Sequence, residues 1–265
     1  MNDIYPHMIK RQEKRYKLIA CEIMFREICY LLSQTPKIVN VVFLPKGLHD
    51  VGGEMMKATL QAELDQVDPE KYEAILLGYG LCNNGVCGLH AKVRMAIPRA
   101  HDCITLLLGS RRRYQDYFDA NPGVYYKSSG WIEREDGFMP QNSVVNKLGL
   151  NKSHAEYVEE YGEENAQYLM ETLGEWPKNY SRMTFIDMSV VKEDGGKVSF
   201  GNVDSHRVLA KQKADELGWQ YDEIKGDVRL LDKLVNCDWN DDEFLIIPPE
   251  RRIISTHTDE IVSFQ

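Results

Sequence analysis

No stretch of this chain approaches the roughly 18 consecutive apolar residues that a helix needs to cross a bilayer. Residues 1–17 also lack an apolar core. They are polar and basic through Lys10, Arg11, Lys14, Arg15 and Lys17, so a secretory signal is not expected there. Positive charge is short overall: 32 Lys and Arg stand against 41 Asp and Glu, a net charge of −9, which argues against a nucleic-acid or anionic-membrane partner. There is no Cys-x-x-Cys pair, no His-Glu-x-x-His, no nucleophile elbow and no EF-hand loop, so none of the chemistries those motifs carry is indicated. What is present is a globular composition, 43% hydrophobic and 28% charged over 265 residues, enough for one large or two small domains. A cytoplasmic location is expected. The six cysteines are then reduced thiols serving as packing residues or metal ligands, not a disulfide framework.

Hydrophobic patterning predicts alternating strands and helices. Residues 17–24 (KLIACEIM) read as a strand with Cys21 and Glu22 near its carboxyl end, and 25–33 have helical spacing. Residues 37–44 (KIVNVVFL) form a β-branched strand whose exit loop carries His49. A helix over 53–64 precedes the most informative stretch, 72–107. There an apolar strand (74–77) meets Gly78-Tyr79-Gly80, Cys82 and Cys87 sit in the loop, a strand runs over 93–97, and His101-Asp102-Cys103 stands where a helix begins. This order predicts an α/β fold with a Rossmann-like parallel sheet flanked by helices. After residue 109 come Arg111-Arg112-Arg113 and a Tyr/Phe-rich helix, a segment over 124–132 that is a short strand or ordered loop, and an acidic helical stretch over 151–173. A second alternating run has strands at 184–189, 221–224 and 243–247, and helices at 205–217, with Ser205 as N-cap and Gly218 as C-cap, and at 227–235. The expected organisation is an extension (1–16), an α/β lobe (17–150), an acidic connector (151–183) and a second α/β lobe (184–265). One extended sheet and two lobes facing a cleft both fit this pattern.

Open parallel sheets bind ligands beyond the carboxyl ends of their strands. Cys21, His49, Cys82, and His101 with Cys103 each follow a different strand, so four connections deliver a thiol or imidazole to one rim. Thiolate and imidazole together suit zinc, or an iron–sulfur cluster where thiolates dominate. Cys21, Cys82, Cys103 and His101 are therefore the candidate metal ligands. His49 and Glu22 are candidates to support the ligands or touch substrate. Arg99 and Arg111 could clamp a substrate anion or simply be solvated, Tyr79 could wall a pocket, and Asp187 ends a strand of the second run. Cys29 and Cys237 lie among apolar neighbours and read as packing residues, while Cys87 reads as a bystander. Residues 78–85 could also be read as a phosphate loop, but Asn83 stands where the third glycine would be and no P-loop lysine follows. The glycines more simply allow a tight turn that points Cys82 inward.

The segments LGYGLCNNGVCGL, IPRAHDCITLLLGSRRRYQDYF, NPGVYYKSSGW and GWQYDEIKGDVRLLDKLV…FLIIPP together resemble the DUF1638 family of anaerobic bacteria and archaea, over roughly residues 17–249. The resemblance implies cysteines at positions 21, 82 and 103 and a histidine at 101. It also implies a setting of corrinoid-dependent methyl transfer. Cys87 stands outside that pattern. The expectation is a metal-binding enzyme or enzyme component acting on a small molecule in one-carbon or methyl-transfer metabolism, with a zinc-type site and a corrinoid protein or methyltransferase as partner. Two alternatives stand beside it: a 4Fe-4S cluster protein in electron transfer or partner activation, and a metal-free binder of a small anion or cofactor.

Overall fold

A computed structural model describes residues 14–49, 53–134, 158–159, 162–163, 180–191, 195–256 and 258–265. In chain order the first lobe contains β1 (Arg15–Cys21), α1 (Phe25–Gln34), β2 (Ile38–Leu44), α2 (Gly53–Asp65), β3 (Ala74–Gly78), β4 (Met95–Pro98) and α3 (Cys103–Leu108). Then follow α4 (Arg111–Ala120), β5 (Val124–Ser128), α5 (Ser129–Glu133), β6 (Arg182–Asp187), and the small pair β7 (Val190–Val191) and β8 (Lys197–Val198). The chain closes with α6 (Val203–Leu217), β9 (Gln220–Lys225), α7 (Arg229–Asn236), β10 (Phe244–Ile247) and the hairpin β11 (Ile253–Ser255) with β12 (Val262–Phe264). Among the described residues no helix is long and apolar enough to cross a membrane.

The main sheet has the order β10-β4-β3-β1-β2, with β1 to β4 parallel and β10 antiparallel on the β4 edge. Every residue of β3 and β4 is buried, the burial expected of parallel strands covered on both faces, and that accounts for their unbroken apolar runs. On one face α7 packs against α1, β3 and β4, with Leu230, Leu231, Leu234 and Val235 all buried. A second sheet, β5-β6-β9, is parallel throughout. The faces of β6 alternate as strand geometry requires. Met183 and Phe185 join Val203, Ala210 and Ala214 of α6 in a small core, whereas Thr184 on the other face meets the Tyr117 hydroxyl of α4 at 2.8 Å.

The strand membership of the two sheets differs from the division of the chain at residue 150. β5 lies before that point yet opens the second sheet, and β10 lies after it yet completes the first. β10 covers the otherwise open edge of β4, a protection that pattern reading of local segments does not anticipate. The 124–132 segment resolves into β5 and α5. Ser205 is not the cap of α6. That helix starts at Val203 with Asn202 before it, because Val203 is buried in the small core. Gly218 does close α6, in the left-handed conformation at φ 68°. Arg111 to Arg113 form the first turn of α4 itself, behind the Ser110 cap, instead of preceding it. The acidic stretch 151–173 lies almost wholly outside the described residues.

The two sheets meet at the connections that leave their strands. A Cβ on Gly130, at the start of α5, would collide with the Ile23 carbonyl oxygen in the 3-10 turn after β1. The Asp227 amide, just past β9, donates to the Leu107 carbonyl at 2.9 Å, and Arg113 donates to the Lys225 carbonyl. The carboxyl ends of both sets of strands therefore face one another.

Candidate functional site

Cys21 is the last residue of β1 and is 1% exposed. Next to it, β3 ends at Gly78, where a Cβ would approach Ala20 Cβ to 2.6 Å, so only glycine lets the two strand ends lie this close. Pairing of the main sheet then continues beyond β3 and β4. The Leu81 amide donates to Ala100 at 2.7 Å and the Cys82 amide to His101 at 2.9 Å. Gly80 permits this, since a Cβ there would be 2.8 Å from both the Ala100 carbonyl and the Asp102 amide. Cys82, Asn83 and Asn84 follow in three successive left-handed conformations, φ 47°, 55° and 64°. Asn tolerates this region, so the cost, about 1–2 kcal/mol, falls chiefly on Cys82. Cys103, 5% exposed, opens α3 directly beside them.

Cys21, Cys82 and Cys103 form one electrostatic group. Burial pushes the Cys21 thiol up to about 12, with a further rise from the Glu22 carboxylate. Burial also raises Cys82 well above the ordinary thiol range, and the charges of Cys21 and Asp102 add to it. Cys103 is raised by burial first and then by Asp102, Cys82 and Cys21. The Tyr79 hydroxyl belongs to the same group, raised by burial and by Cys21 and Cys82. Three neutral thiols held in low dielectric oppose one another's ionisation, and a cation among them reverses that preference. Among the described residues no three His, Cys, Asp or Glu side chains stand at metal-ligating spacing. The three thiols share burial and one another's charge, but as placed they do not form a metal-binding group.

Asp102 links this group to its surroundings. As the N-cap of α3 it accepts from the amides of Ile104 (3.0 Å) and Thr105 (3.2 Å), while its other oxygen accepts from the Tyr114 hydroxyl at 3.0 Å. Tyr114 is raised far above the usual phenol range, by burial first and then by Asp102. Tyr126 lies 6.0 Å from Tyr114 between ring centroids. The hydroxyls of Tyr79, Tyr126 and Thr105 are buried and have no hydrogen-bond partner among the described residues. Buried polar atoms left unmatched are uncommon, and a water, an ion or a ligand would satisfy them.

The other expected residues fall in different roles. His101 gives its carbonyl to Cys82, and its exposed side chain lines a cavity of 620 Å³. Glu22 accepts the Lys46 amide at 2.9 Å and pairs with Arg134 at 3.4 Å, which fixes the turn that follows Cys21. The Arg99 guanidinium is taken up by the carbonyls of Asp241, Glu260 and Val262. Arg111 holds the carbonyls of Asp242 and Asp259. Asp187 is paired with Lys225 at 3.3 Å and Arg207 at 3.7 Å. Burial alone would raise its carboxyl, but hydrogen bonds from Ser189 and the Lys225 charge outweigh that and lower it. His49 ends the 3-10 turn after β2, and its side chain lies outside the described residues. Cys87 is half-buried with its sulfur 3.6 Å from Asn84 Oδ1. Sequence reading passed over Asp102, Thr105 and Tyr114. The N-cap position of Asp102 was a usable signal, whereas nothing in the spacing of Thr105 or Tyr114 marked them.

The family described as protein of unknown function DUF1638 matches residues 43–235 of the 265-residue chain, so the chain belongs to that family. No curated protein and no solved structure matches it.

Proposed function

Within this family, we propose that the protein is a metal-binding enzyme or enzyme component in which Cys21, Cys82 and Cys103 hold a thiophilic ion, zinc by the nature of the donors. What supports this reading is that three buried thiols, each following a different strand, lie close enough for Cys21 to act on Cys82 and for both to act on Cys103. Three thiolates leave room for a substrate ligand. When bound, such an ion acts as a Lewis acid that favours the ionised form of a substrate thiol or polarises a carbonyl. The chain's own residues prepare the place. The Tyr79 hydroxyl has no competing partner among the described residues and can donate to a thiolate, and Asp102 keeps a carboxylate beside Cys103 that favours a cation. Gly80 holds the two loops in register, so Cys82 and Cys103 stay adjacent. We assign His101, exposed at the rim, to the substrate side of the site.

The expected setting is one-carbon or corrinoid-linked methyl transfer, with a corrinoid protein or methyltransferase as partner. A thiolate-held zinc suits activation of a methyl-accepting thiol. The test is metal analysis of protein purified without oxygen. Cys21→Ser, Cys82→Ser and Cys103→Ser should each lose most of the bound zinc, while Cys29→Ser and Cys237→Ser keep it. Full metal content in all three variants of the cluster would sink the assignment. A broad visible absorption band lost on the same substitutions would replace zinc with an iron–sulfur cluster.

A further inference from the structure

The 620 Å³ cavity lies between the first turns of α3 and α4 and the loop of the β11–β12 hairpin. It falls within the size range of small-molecule sites. In a chain of net charge −9 its wall is locally basic, carrying Arg111 and Arg112 against one carboxylate, Asp259, whose residue is exposed. Arg111 spends its donors on backbone carbonyls of Asp242 and Asp259, so it ties down the hairpin while its charge stays unneutralised by a carboxylate among the described residues. Among the described residues Arg112 pairs with Asp116 alone, 3.7 Å away with both side chains largely exposed, a pair of little strength. Thr105 is 0% exposed, its hydroxyl has no partner among the described residues, and it lines the same wall.

We propose that this cavity is the anion-anchoring half of the substrate site and binds a small organic oxyanion, a carboxylate or a phosphate monoester. Arg112 supplies charge, and the Thr105 hydroxyl donates to the anionic oxygen. The wall is physically continuous with the thiol group. Thr105 and Tyr114 line the cavity, Tyr114 donates to Asp102, and Asp102 adjoins Cys103. A ligand anchored there extends its other end toward the thiols. Only that last step rests on the metal-site reading, because the anchor uses none of the cysteines.

The full-length protein is titrated calorimetrically with inorganic phosphate and, separately, with succinate, both before and after zinc loading. Saturable binding of either probe is expected. Phosphate alone would assign a phosphate monoester, and succinate alone a carboxylate. Arg112→Ala and Thr105→Val should each weaken binding about tenfold, the size expected for a hydrogen bond to a charged group. Lys211→Ala, an exposed charge on α6, should leave it unchanged. Cys82→Ser should keep anion binding even where it loses metal, which separates failure of this proposal from failure of the metal site. The proposal is overturned if neither probe binds at about 10 mM, well above a millimolar dissociation constant. It is equally overturned if Arg112→Ala and Thr105→Val both bind as the parent does, or if Lys211→Ala weakens binding as much as they do.

Discussion

Glu27 shows most clearly what a single side chain can do to this molecule. It lies in the first turn of α1, is 1% exposed, and its Oε2 has no partner among the described residues. Burial pushes its carboxyl from 4.5 up to about 7. The Glu133 carboxylate adds to the rise, and Arg26 and Arg134 pull against it. The folded form therefore holds a proton that the unfolded chain releases at lower pH. Stability is full below the unfolded pKa of 4.5 and is lost as pH rises through about 7. A shift of this size corresponds to roughly 3 kcal/mol once the group is ionised, as an order of magnitude. Glu27→Gln should therefore be more stable than the parent at about pH 8, by roughly 1–3 kcal/mol, and nearly equal to it at about pH 5. Urea midpoints at the two pH values measure this, and an equal offset at both would contradict it.

At the scale of elements, the decisive contact is between α5 and the 3-10 turn that follows β1. Cys21 is positioned by the same turn, because Glu22 within it is held by the Lys46 amide and by Arg134. Gly130 makes the contact possible, and what a larger residue would strike is the Ile23 backbone, which cannot rotate away. Gly130→Ala should destabilise the fold by about 1–3 kcal/mol or more, the range for overpacking. It should also loosen Cys21, so zinc affinity falls along with thermal stability. An unchanged melting temperature would show that the two sheets do not depend on this contact. By contrast, α7 was legible in advance. Leu230, Leu231 and Leu234 share a helical face in the sequence and are all buried in the structure.

For the whole molecule, the question is how the carboxy-terminal residues are kept over the site. Arg99 follows β4, and its guanidinium, with the side chain 10% exposed, binds the carbonyls of Asp241, Glu260 and Val262. One side chain thus ties the turn before β10 and the β11–β12 hairpin to the main sheet. Hydrogen bonds from a charged donor contribute about 1.5–3 kcal/mol. Arg99→Met should speed amide exchange about tenfold or more in 253–255 and 262–264 while leaving β1 and β3 protected. Uniform acceleration across the main sheet would mean instead that the hairpin and the sheet open together.

The alternation of strands and helices, the parallel pairing of β1 to β4 and the delivery of Cys21, Cys82 and Cys103 to one rim were all determined by the sequence alone. They follow from apolar runs of strand and helix length, from glycine at 78 and 80, and from the fixed direction of parallel strands. The sharing of strands between the two sheets could not be seen in advance, since the partner of β10 is set by an exposed edge about 150 residues earlier in the chain. Nor could the fate of the arginines. Arg99 and Arg111 became structural ties because carbonyls from the distant hairpin arrive beside them, while Arg112 is left facing the cavity. Local pattern specifies elements and their direction. Which charges are consumed and which remain for a ligand depends on contacts between residues far apart in the chain, and only the folded arrangement supplies those.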